Sequence, residues 1–331
     1  MCRKVLILAL SILSVDIIYV CSKFLHFNWS SGDILHSPMA ITIRDHQSVC
    51  TDKVYYYHHN NFGMGSDLHT WTQAVCNSME KGKTLLEQTQ FWIWNDREFC
   101  GNNQIQPLKC YFNLEIHCPE SGEYPGREKF MTYYNDFPNC PKFIQDDRTR
   151  QIFRAAAIEY LFSNINIRLI QAAEKEILTV FGDQGVPEDM ITVHLRWGDK
   201  KREMKLVTTE EYIDAIEGIA TNHSIAHPKI FVTTESKEAL DKLEVYVRDN
   251  KPSWTLFHYN PSVYGRHHNQ NGGAGEVSPM DMAKRSNGAI GMASMISLLY
   301  AMEAKYYVLT SGSNWSRLID ELRRNVIDYK C

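Results

Sequence analysis

The chain has 331 residues, of which 44% are hydrophobic and 22% are charged, and its formal net charge is −4. This composition excludes a disordered chain, and the length accommodates two domains of ordinary size. The slightly acidic balance excludes a broad nucleic-acid-binding surface, so any anionic ligand must be bound by local positive groups.

The first 22 residues differ in composition from the rest of the chain. Two basic residues, Arg3 and Lys4, precede an apolar run from Val5 to Cys21. Such a run is at the short limit for a membrane-spanning helix, and the preceding charges predict a signal anchor with the following domain in the lumen. The alternative is a cleaved signal peptide and a secreted protein. The favoured prediction is a single-pass type II protein of the Golgi or endoplasmic reticulum membrane.

Cysteine usage fits an oxidising compartment. Four of the nine cysteines, Cys100, Cys110, Cys118 and Cys140, lie in a polar stretch without a clear helix or strand pattern. They predict two disulfides, for which three pairings are possible. A zinc site is the alternative, although no Cys-x2-Cys spacing is present. Cys76 lies in a predicted helix and is expected to be a buried thiol.

The first half of the chain predicts one βαβ unit and then a long helix. Gly63 and Gly65 form the turn before the first helix, whose N-terminus could face a ligand, although a simple tight turn is the alternative. Gly185 and Pro187 break the long helix, and the domain boundary is placed at 185. The predicted segments are a polar stem over 23–50, strands over 53–57 and 84–87, and helices over 67–81 and 148–182.

The second half alternates strands and helices more regularly. Thr208 and Glu211 have the spacing of a capping box. Alternation of this kind predicts a parallel sheet with right-handed crossovers. The fold is therefore predicted to be α/β, with two Rossmann-type domains, residues 51–185 and 186–331, facing each other across a cleft. The predicted strands span 191–196, 229–234 and 306–310, and the helices begin at 208, span 236–248 and 289–304, and run from the 311–314 turn to about 326.

The strand over 191–196 ends in a charged cluster. Its apolar and polar residues alternate, which predicts a half-buried strand. Arg196 is followed by Asp199 and Lys200 at a position where open α/β sheets bind ligands. The cluster is therefore predicted to be an anion site with an acid–base pair, and a surface ion pair between Asp199 and Lys200 is the alternative. His194 faces the same side of the strand as Arg196 and is a further candidate for a ligand contact, and a hydrogen-bonded core histidine is the alternative.

A second candidate for anion binding is the turn Thr310-Ser-Gly-Ser313 before the last helix. The amides at a helix start and the Ser313 hydroxyl suit phosphate oxygens, although small residues also cap helices that bind nothing. Since Arg196 is expected at the same sheet edge, Ser311, Gly312 and Ser313 are predicted to bind a diphosphate. No Asp-x-Asp motif follows a strand, so a metal-bridged nucleotide is not indicated.

Three N-glycosylation sequons begin at Asn28, Asn222 and Asn314. The first two lie in predicted surface loops, where a glycan can be accommodated. Asn314 lies within the predicted diphosphate site and is therefore expected to be unglycosylated.

Several motifs occur in a defined order: Gly63-Met-Gly65-Ser-Asp-Leu-His69, Gly82-Lys-Thr-Leu85, Trp92-Ile-Trp94, His194-Leu-Arg196-Trp-Gly-Asp199-Lys200, Glu210-Glu-Tyr212, Phe231-Val-Thr-Thr-Glu235 and Leu309-Thr-Ser-Gly-Ser313-Asn-Trp-Ser-Arg317. Over about residues 53–325 the chain resembles the α1,6-fucosyltransferases, which include the eukaryotic core fucosyltransferase and the bacterial chitooligosaccharide fucosyltransferases. More distantly it resembles the protein O-fucosyltransferases. The His-x-Arg-x-x-Asp-Lys element is the most specific one.

The resemblance implies a GT-B-type fold, GDP-fucose as the donor, and neither a metal ion nor another cofactor. It implies an inverting transfer in which an acceptor hydroxyl attacks the anomeric carbon as GDP leaves. Arg196 would neutralise the β-phosphate, Ser313 would donate a hydrogen bond to it, and His194 would line the nucleotide site. Gly63, Gly65 and Asp199 would complete the donor site. Positive charge and helix-end amides would then stabilise the leaving diphosphate.

The resemblance also implies a general base for the acceptor hydroxyl. In the core enzyme a glutamate shortly after the Asp-Lys pair has this role and is linked to the lysine. Lys200 matches that lysine. Glu203 takes the position of the glutamate when the one-residue gap in this segment is placed before it. Glu203 could otherwise be a charge in a solvated turn.

Ser297 departs from the family pattern. The family has an aspartate at this position, in the helix before the last strand, where it binds the guanine edge. Ser297 is still predicted to contact the donor, because a serine can hydrogen-bond to a base, but it lacks the bidentate hydrogen bonding of a carboxylate. The resemblance as a whole predicts transfer of fucose from GDP-fucose to a glycan or glycoprotein. The alternatives are another nucleotide-sugar donor, a protein acceptor, or a sugar- or nucleotide-binding module without catalysis.

Overall fold

The computed structural model describes residues 25, 27, 29, 34–50, 54–87, 92–101, 106–114, 116, 140–198, 205–259 and 278–327. The apolar segment over 1–22 lies outside these residues. The sequon at Asn28 and the candidate site residues Asp199, Lys200 and Glu203 also lie outside them and stay predictions.

Two parallel β-sheets organise the chain, as the alternation of strands and helices predicts. The first sheet consists of β1 (Val54–Tyr57) and β2 (Thr84–Glu87). The second has the strand order β5–β4–β3–β6, and every pairing in it is parallel. Its strands are β3 (Ile191–His194), β4 (Lys229–Thr233), β5 (Thr255–His258) and β6 (Tyr306–Val308). The α/β class with parallel sheets is confirmed.

Helices connect and cover these strands. In chain order they are α1 (Pro38–Ser48), α2 (Met64–Glu80), α3 (Arg97–Cys100), α4 (Asp147–Phe162), α5 (Ile167–Phe181), α6 (Thr209–Asn222), α7 (Lys237–Asn250), α8 (Pro279–Arg285), α9 (Ala289–Ala301) and α10 (Asn314–Leu322). A 3-10 turn spans Pro107–Cys110 and a π-helical turn spans Arg323–Ile327.

The predicted helix over 148–182 is instead two helices, α4 and α5. The chain leaves α4 at Ser163, and Asn166 caps α5 by accepting a hydrogen bond from the Arg168 amide. A side chain that satisfies an N-terminal amide stabilises a new helix start, so the apolar stripe continues across a break.

The strand β3 is buried on both faces, and the prediction of a half-buried strand is wrong. Thr192 points into the protein, where its hydroxyl donates to the Ala301 carbonyl at 2.8 Å. His194 is buried as well. Helices lie on both faces of a parallel sheet of this kind, so alternating polar residues there form internal hydrogen bonds.

The described part of the predicted stem contains a helix, α1, that packs against α4. Ala40 and Ile43 of α1 are fully buried. The His36 and Ser37 amides both donate to a buried carboxylate oxygen of Glu159, at 2.8 and 2.7 Å.

Three elements, α1, β5 and α8, were not predicted from the sequence.

One cluster of buried apolar residues contains side chains from both predicted domains. Within it α9 packs against α5, and α10 packs against α2 and α4. A second cluster lies between the four-stranded sheet, α6 and α7. The division at residue 185 stays a prediction, and the site described below lies where α10 meets α2.

Disulfides are present, but one of them differs from the expectation. Cys100 pairs with Cys110, which is one of the pairings that the sequence left open. Cys140 pairs with Cys76, so the prediction of a buried thiol at Cys76 is wrong. These bonds also exclude a zinc site built on Cys100, Cys110 and Cys140. Cys50 is disulfide-bonded too.

The predicted localisation in the Golgi or endoplasmic reticulum membrane is not supported by the structure. Within the part of the chain that the structure describes, no helix is long and apolar enough to cross a bilayer.

A close contact between α9 and the segment after β2 gives a test of this packing. A Cβ atom built on Gly291 would lie 1.9 Å from the Trp94 carbonyl oxygen. We expect Gly291→Ala to lower the free energy of unfolding by about 1–3 kcal/mol, because backbone must move to accommodate the methyl group. Gly218→Ala in α6, where nothing lies within 4 Å, should raise it by about 0.5–1 kcal/mol. Urea unfolding of both variants measures the difference, and equal stabilities would contradict the packing.

Candidate functional site

The carboxyl ends of β3, β4 and β6 meet at one edge of the four-stranded sheet. Beyond the strands, the Leu195 amide donates to the Thr233 carbonyl at 3.0 Å, and the Thr234 hydroxyl donates to the Leu195 carbonyl at 2.7 Å. These bonds hold the residues that follow β3 and β4 side by side. Polar side chains from three segments therefore converge where α/β sheets bind ligands.

Arg196 is largely buried at this edge, with 12% of its side chain exposed. Its guanidinium forms an ion pair with the Glu235 carboxylate, and its Nη1 also donates to the Trp197 carbonyl at 3.1 Å. Glu235 follows β4, and no role was predicted for it. Its position after the neighbouring strand was the signal available in the sequence. The pair places one strong cation at the edge, with its charge balanced by a carboxylate.

Tyr212 of α6 ties the ends of β3 and β6 together. Its hydroxyl accepts from the Arg196 amide at 3.3 Å and lies 2.5 Å from the Thr310 hydroxyl. The Thr310 hydroxyl in turn donates to the His194 carbonyl at 3.3 Å. Tyr212 therefore donates to Thr310, and this chain of hydrogen bonds fixes the backbone on which Arg196 is carried.

His194 contacts Ser316 of α10. Its Nδ1 lies 2.7 Å from the Ser316 hydroxyl, which also accepts from the Thr310 amide at 3.0 Å. Burial, and secondarily the charge of Arg196, lowers the pKa of His194 to about 3. The imidazole is therefore neutral and joins β3 to the start of α10. Its predicted role in lining a nucleotide site stays a prediction.

Ser313 caps the N-terminus of α10 without using its side chain. Its hydroxyl forms no capping hydrogen bond, although only 2% of the residue is exposed. Other serine and threonine caps of the described helices do accept a bond from the third residue of their helix: Ser37, Thr208, Ser236 and Ser278. The first amides of α10 and the Ser313 hydroxyl thus remain available to a ligand oxygen. The predicted neighbours Ser311 and Gly312 form the exposed turn before them.

The start of α2 lies directly against the start of α10. A Cβ atom on Gly65 would lie 3.1 Å from both the Asn314 carbonyl carbon and the Trp315 nitrogen. The Asn314 side-chain amide donates to the Ser66 hydroxyl at 2.5 Å. Gly65 therefore allows two helix N-termini to converge, and their dipoles favour an anion between them. Gly63 caps α2, but no such close contact surrounds it.

Ser297 lies on α9 at the end of β4. It is buried, and its hydroxyl donates to the Thr233 hydroxyl at 3.4 Å. The structure thus brings Arg196, His194, Gly65 and the Ser313 turn together at β3, β6 and α10. It puts Ser297 beside β4, in a hydrogen bond within the protein.

Taken together, the edge offers a cation, two helix N-termini and a neutral imidazole, which suit a phosphate or diphosphate group. In the described ranges, no group of three or more His, Cys, Asp or Glu side chains has the arrangement of a metal site. Metal-independent chemistry stays a prediction.

The sequence matches no protein-family model and no curated protein. Among solved structures, the fold is similar to that of the NodZ α-1,6-fucosyltransferase, in a crystal soaked with GDP-fucose. The TM-score is 0.40 and the sequence identity is 11%, and the match covers 81% of this chain and 91% of that chain. A likeness this distant carries no argument about activity, which rests on the residues of the site.

The unused hydroxyl of Ser313 predicts an unusual mutational effect. Ser313→Ala should change the free energy of unfolding by less than about 0.5 kcal/mol, because no capping bond is lost. Ser236→Ala, which removes the cap of α7, should cost about 1 kcal/mol. Ser313→Ala should nevertheless weaken the binding of pyrophosphate about tenfold. Urea unfolding and calorimetric titration measure the two effects. A loss of stability equal to that of Ser236→Ala would show that Ser313 is an ordinary cap.

The neutral state of His194 predicts a dependence of stability on pH. The unfolded chain binds a proton at this residue below about pH 6.5, whereas the folded chain does so only near pH 3. Stability should therefore fall as the pH decreases from about 6 to 4, with His194 contributing about 1.4 kcal/mol per pH unit. Urea unfolding of the wild type and of His194→Gln between these pH values measures the difference in slope. Parallel slopes would mean that His194 is protonated in the folded protein.

Proposed function

We propose that the protein is an inverting glycosyltransferase that binds a nucleoside diphosphate sugar at the carboxyl edge of the four-stranded sheet. The observation that supports it most is the start of α10, where the buried Ser313 hydroxyl forms no capping bond. Arg196 lies at the same edge of the sheet and supplies the positive charge. The proposed reaction is transfer of fucose from GDP-fucose to a hydroxyl of a glycan acceptor.

The proposed chemistry places the leaving diphosphate on these groups. The acceptor oxygen forms a bond to the anomeric carbon of the donor, and the bond from that carbon to the β-phosphate oxygen breaks. The electron pair of the broken bond stays on GDP. Arg196 exchanges its Glu235 partner for the β-phosphate, and the Ser313 hydroxyl and the α10 amides donate to the same group. Such donors stabilise charge that develops in the transition state.

The acceptor proton needs a base, and we assign this role to Glu203, with Lys200 as its ionic partner. This assignment and the donor contact of Asp199 rest on the sequence motif, since these residues lie outside the described ranges. A carboxylate within hydrogen-bond reach of the attacking hydroxyl accepts its proton as the new bond forms.

A second candidate differs in the identity of the donor nucleotide. Ser297 stands where the related enzymes have an aspartate, and its hydroxyl is bonded to Thr233. This contact favours, as a second candidate, a transferase of the same kind that uses a nucleotide other than a guanine nucleotide.

Binding of nucleotides separates these candidates. Ligands that bind only the folded state raise the melting temperature, so GDP, UDP, CDP and ADP can be compared on the intact chain. We expect GDP to stabilise the protein most, and GDP-fucose to be consumed in the presence of oligosaccharides. Stabilisation by UDP or CDP in place of GDP would favour the second candidate. No effect of any of the four would contradict a nucleotide-sugar transferase.

Arg196 offers the mutational test. Arg196→Ala should lower kcat/KM for sugar transfer by about 10²–10³-fold, because the leaving phosphate loses a charge-assisted donor. Arg196→Lys should recover part of the rate, since it keeps the charge but loses the two-pronged geometry. Arg248→Ala is the matched control, as that exposed arginine also pairs with a carboxylate, Asp249. A rate for Arg196→Ala equal to that of this control would remove Arg196 from the mechanism.

A further inference from the structure

A buried histidine joins α2 to α10 beside the proposed donor site. His69 of α2 is 7% exposed. Its Nδ1 lies 3.2 Å from the side-chain oxygen of Asn314, and its Nε2 lies 3.0 Å from a carboxylate oxygen of Glu321. Asn314 is the first residue of α10 and directly follows Ser313. The ring therefore connects the two helices close to the turn that carries the anion site.

Both partners of His69 are hydrogen-bond acceptors. The Asn314 oxygen is identified by Arg317, whose Nη2 donates to it at 2.6 Å, while the Asn314 nitrogen donates to the Ser66 hydroxyl. A flipped amide would point its N–H groups at a guanidinium, which has no acceptor. Since a carboxylate faces the other ring nitrogen, both nitrogens of His69 must donate. The contacts require the doubly protonated, positively charged ring.

The surrounding charges are consistent with this state. Burial alone would raise the pKa of Glu321, but the charges of His69 and Arg154 lower it below its ordinary value. The charged groups that face the ring are Glu321 and Arg317 from α10, and Arg154 from α4, whose Nε donates to Glu321 at 2.5 Å. Arginine keeps its proton at any physiological pH.

We propose that protonated His69 is a positioning residue that holds the start of α2 against the first turn of α10 and so keeps the anion site assembled. The role rests on the proposed function, because it concerns the affinity of that site for a diphosphate. A side chain with a single donor at this position satisfies only one of the two acceptor oxygens, so one bond across the helices is lost. The contact between Gly65 and the Asn314–Trp315 peptide then loosens, and the affinity for a nucleoside diphosphate decreases.

The first test is GDP binding to the intact chain by calorimetric titration at one fixed pH. We expect His69→Gln to bind GDP about tenfold more weakly than the wild type, because one of the two bonds across the helices is lost. His223→Gln is the matched control, because His223 is exposed at the end of α6 and contacts the Tyr306 ring. It should bind GDP as the wild type does. Equal affinities for the wild type and His69→Gln would overturn the proposal.

A second measurement needs neither GDP nor a stable variant. Nitrogen-15 NMR of the histidine rings in the wild-type protein distinguishes a ring with two protonated nitrogens from a neutral one. We expect both nitrogens of the His69 ring to carry protons, because both face acceptor oxygens. A ring with a single protonated nitrogen would overturn the proposal even if GDP binds. If GDP does not bind, the proposed function fails, and the positioning role fails with it.

Discussion

The open N-terminus of α10 is the constraint on which the rest of the site depends. A helix begins with backbone amides that have no partner within the helix, and a side-chain cap usually satisfies one of them. Here Ser316 bonds back to Thr310 and His194, and the Ser313 hydroxyl does not cap the helix. Under the proposed function, the cost of leaving these donors without a cap is recovered when the diphosphate binds.

The charges at this edge of the sheet compensate one another. Arg196 is paired with Glu235, and its backbone is held by the Tyr212 hydroxyl. His194, only two residues away, is neutral because its burial and the charge of Arg196 disfavour a second cation. A buried cation with an ionic partner avoids the desolvation cost of an unpaired charge. Under the proposed function, a diphosphate would offer the guanidinium more hydrogen-bonding oxygens than the carboxylate does, and this would favour the exchange.

The sequence predicted the parts of this arrangement that depend on local chemistry and on topology. The capping box of Thr208 and Glu211 is present, because it involves two residues within one helical turn. Arg196 and the 310–313 turn lie at one sheet edge, because the ends of parallel strands must. The pairing of Arg196 with Glu235, the bond from His194 to Ser316, and the disulfide between Cys76 and Cys140 depend on which surfaces meet in three dimensions. The periodicity of apolar residues in the sequence does not show which of these surfaces are in contact. The break between α4 and α5 could have been predicted, because Asn166 is a preferred residue for a helix N-cap.

The contact between α2 and α10 explains how Gly65 of α2 can affect the proposed site at the start of α10. Gly65 lets the two helix starts approach, and the network of His69, Asn314 and Glu321 holds them there. Because the two helix starts belong to different halves of the sequence, the order of the proposed anion site depends on this contact.

The most direct test of the account is a crystal structure of the chain with GDP bound. We expect phosphate oxygens within hydrogen-bond distance of the Ser313 hydroxyl and the first α10 amides. The Arg196 guanidinium should have turned from Glu235 to the β-phosphate. A structure in which GDP binds elsewhere, while Arg196 stays on Glu235 and Ser313 remains unbonded, would contradict it.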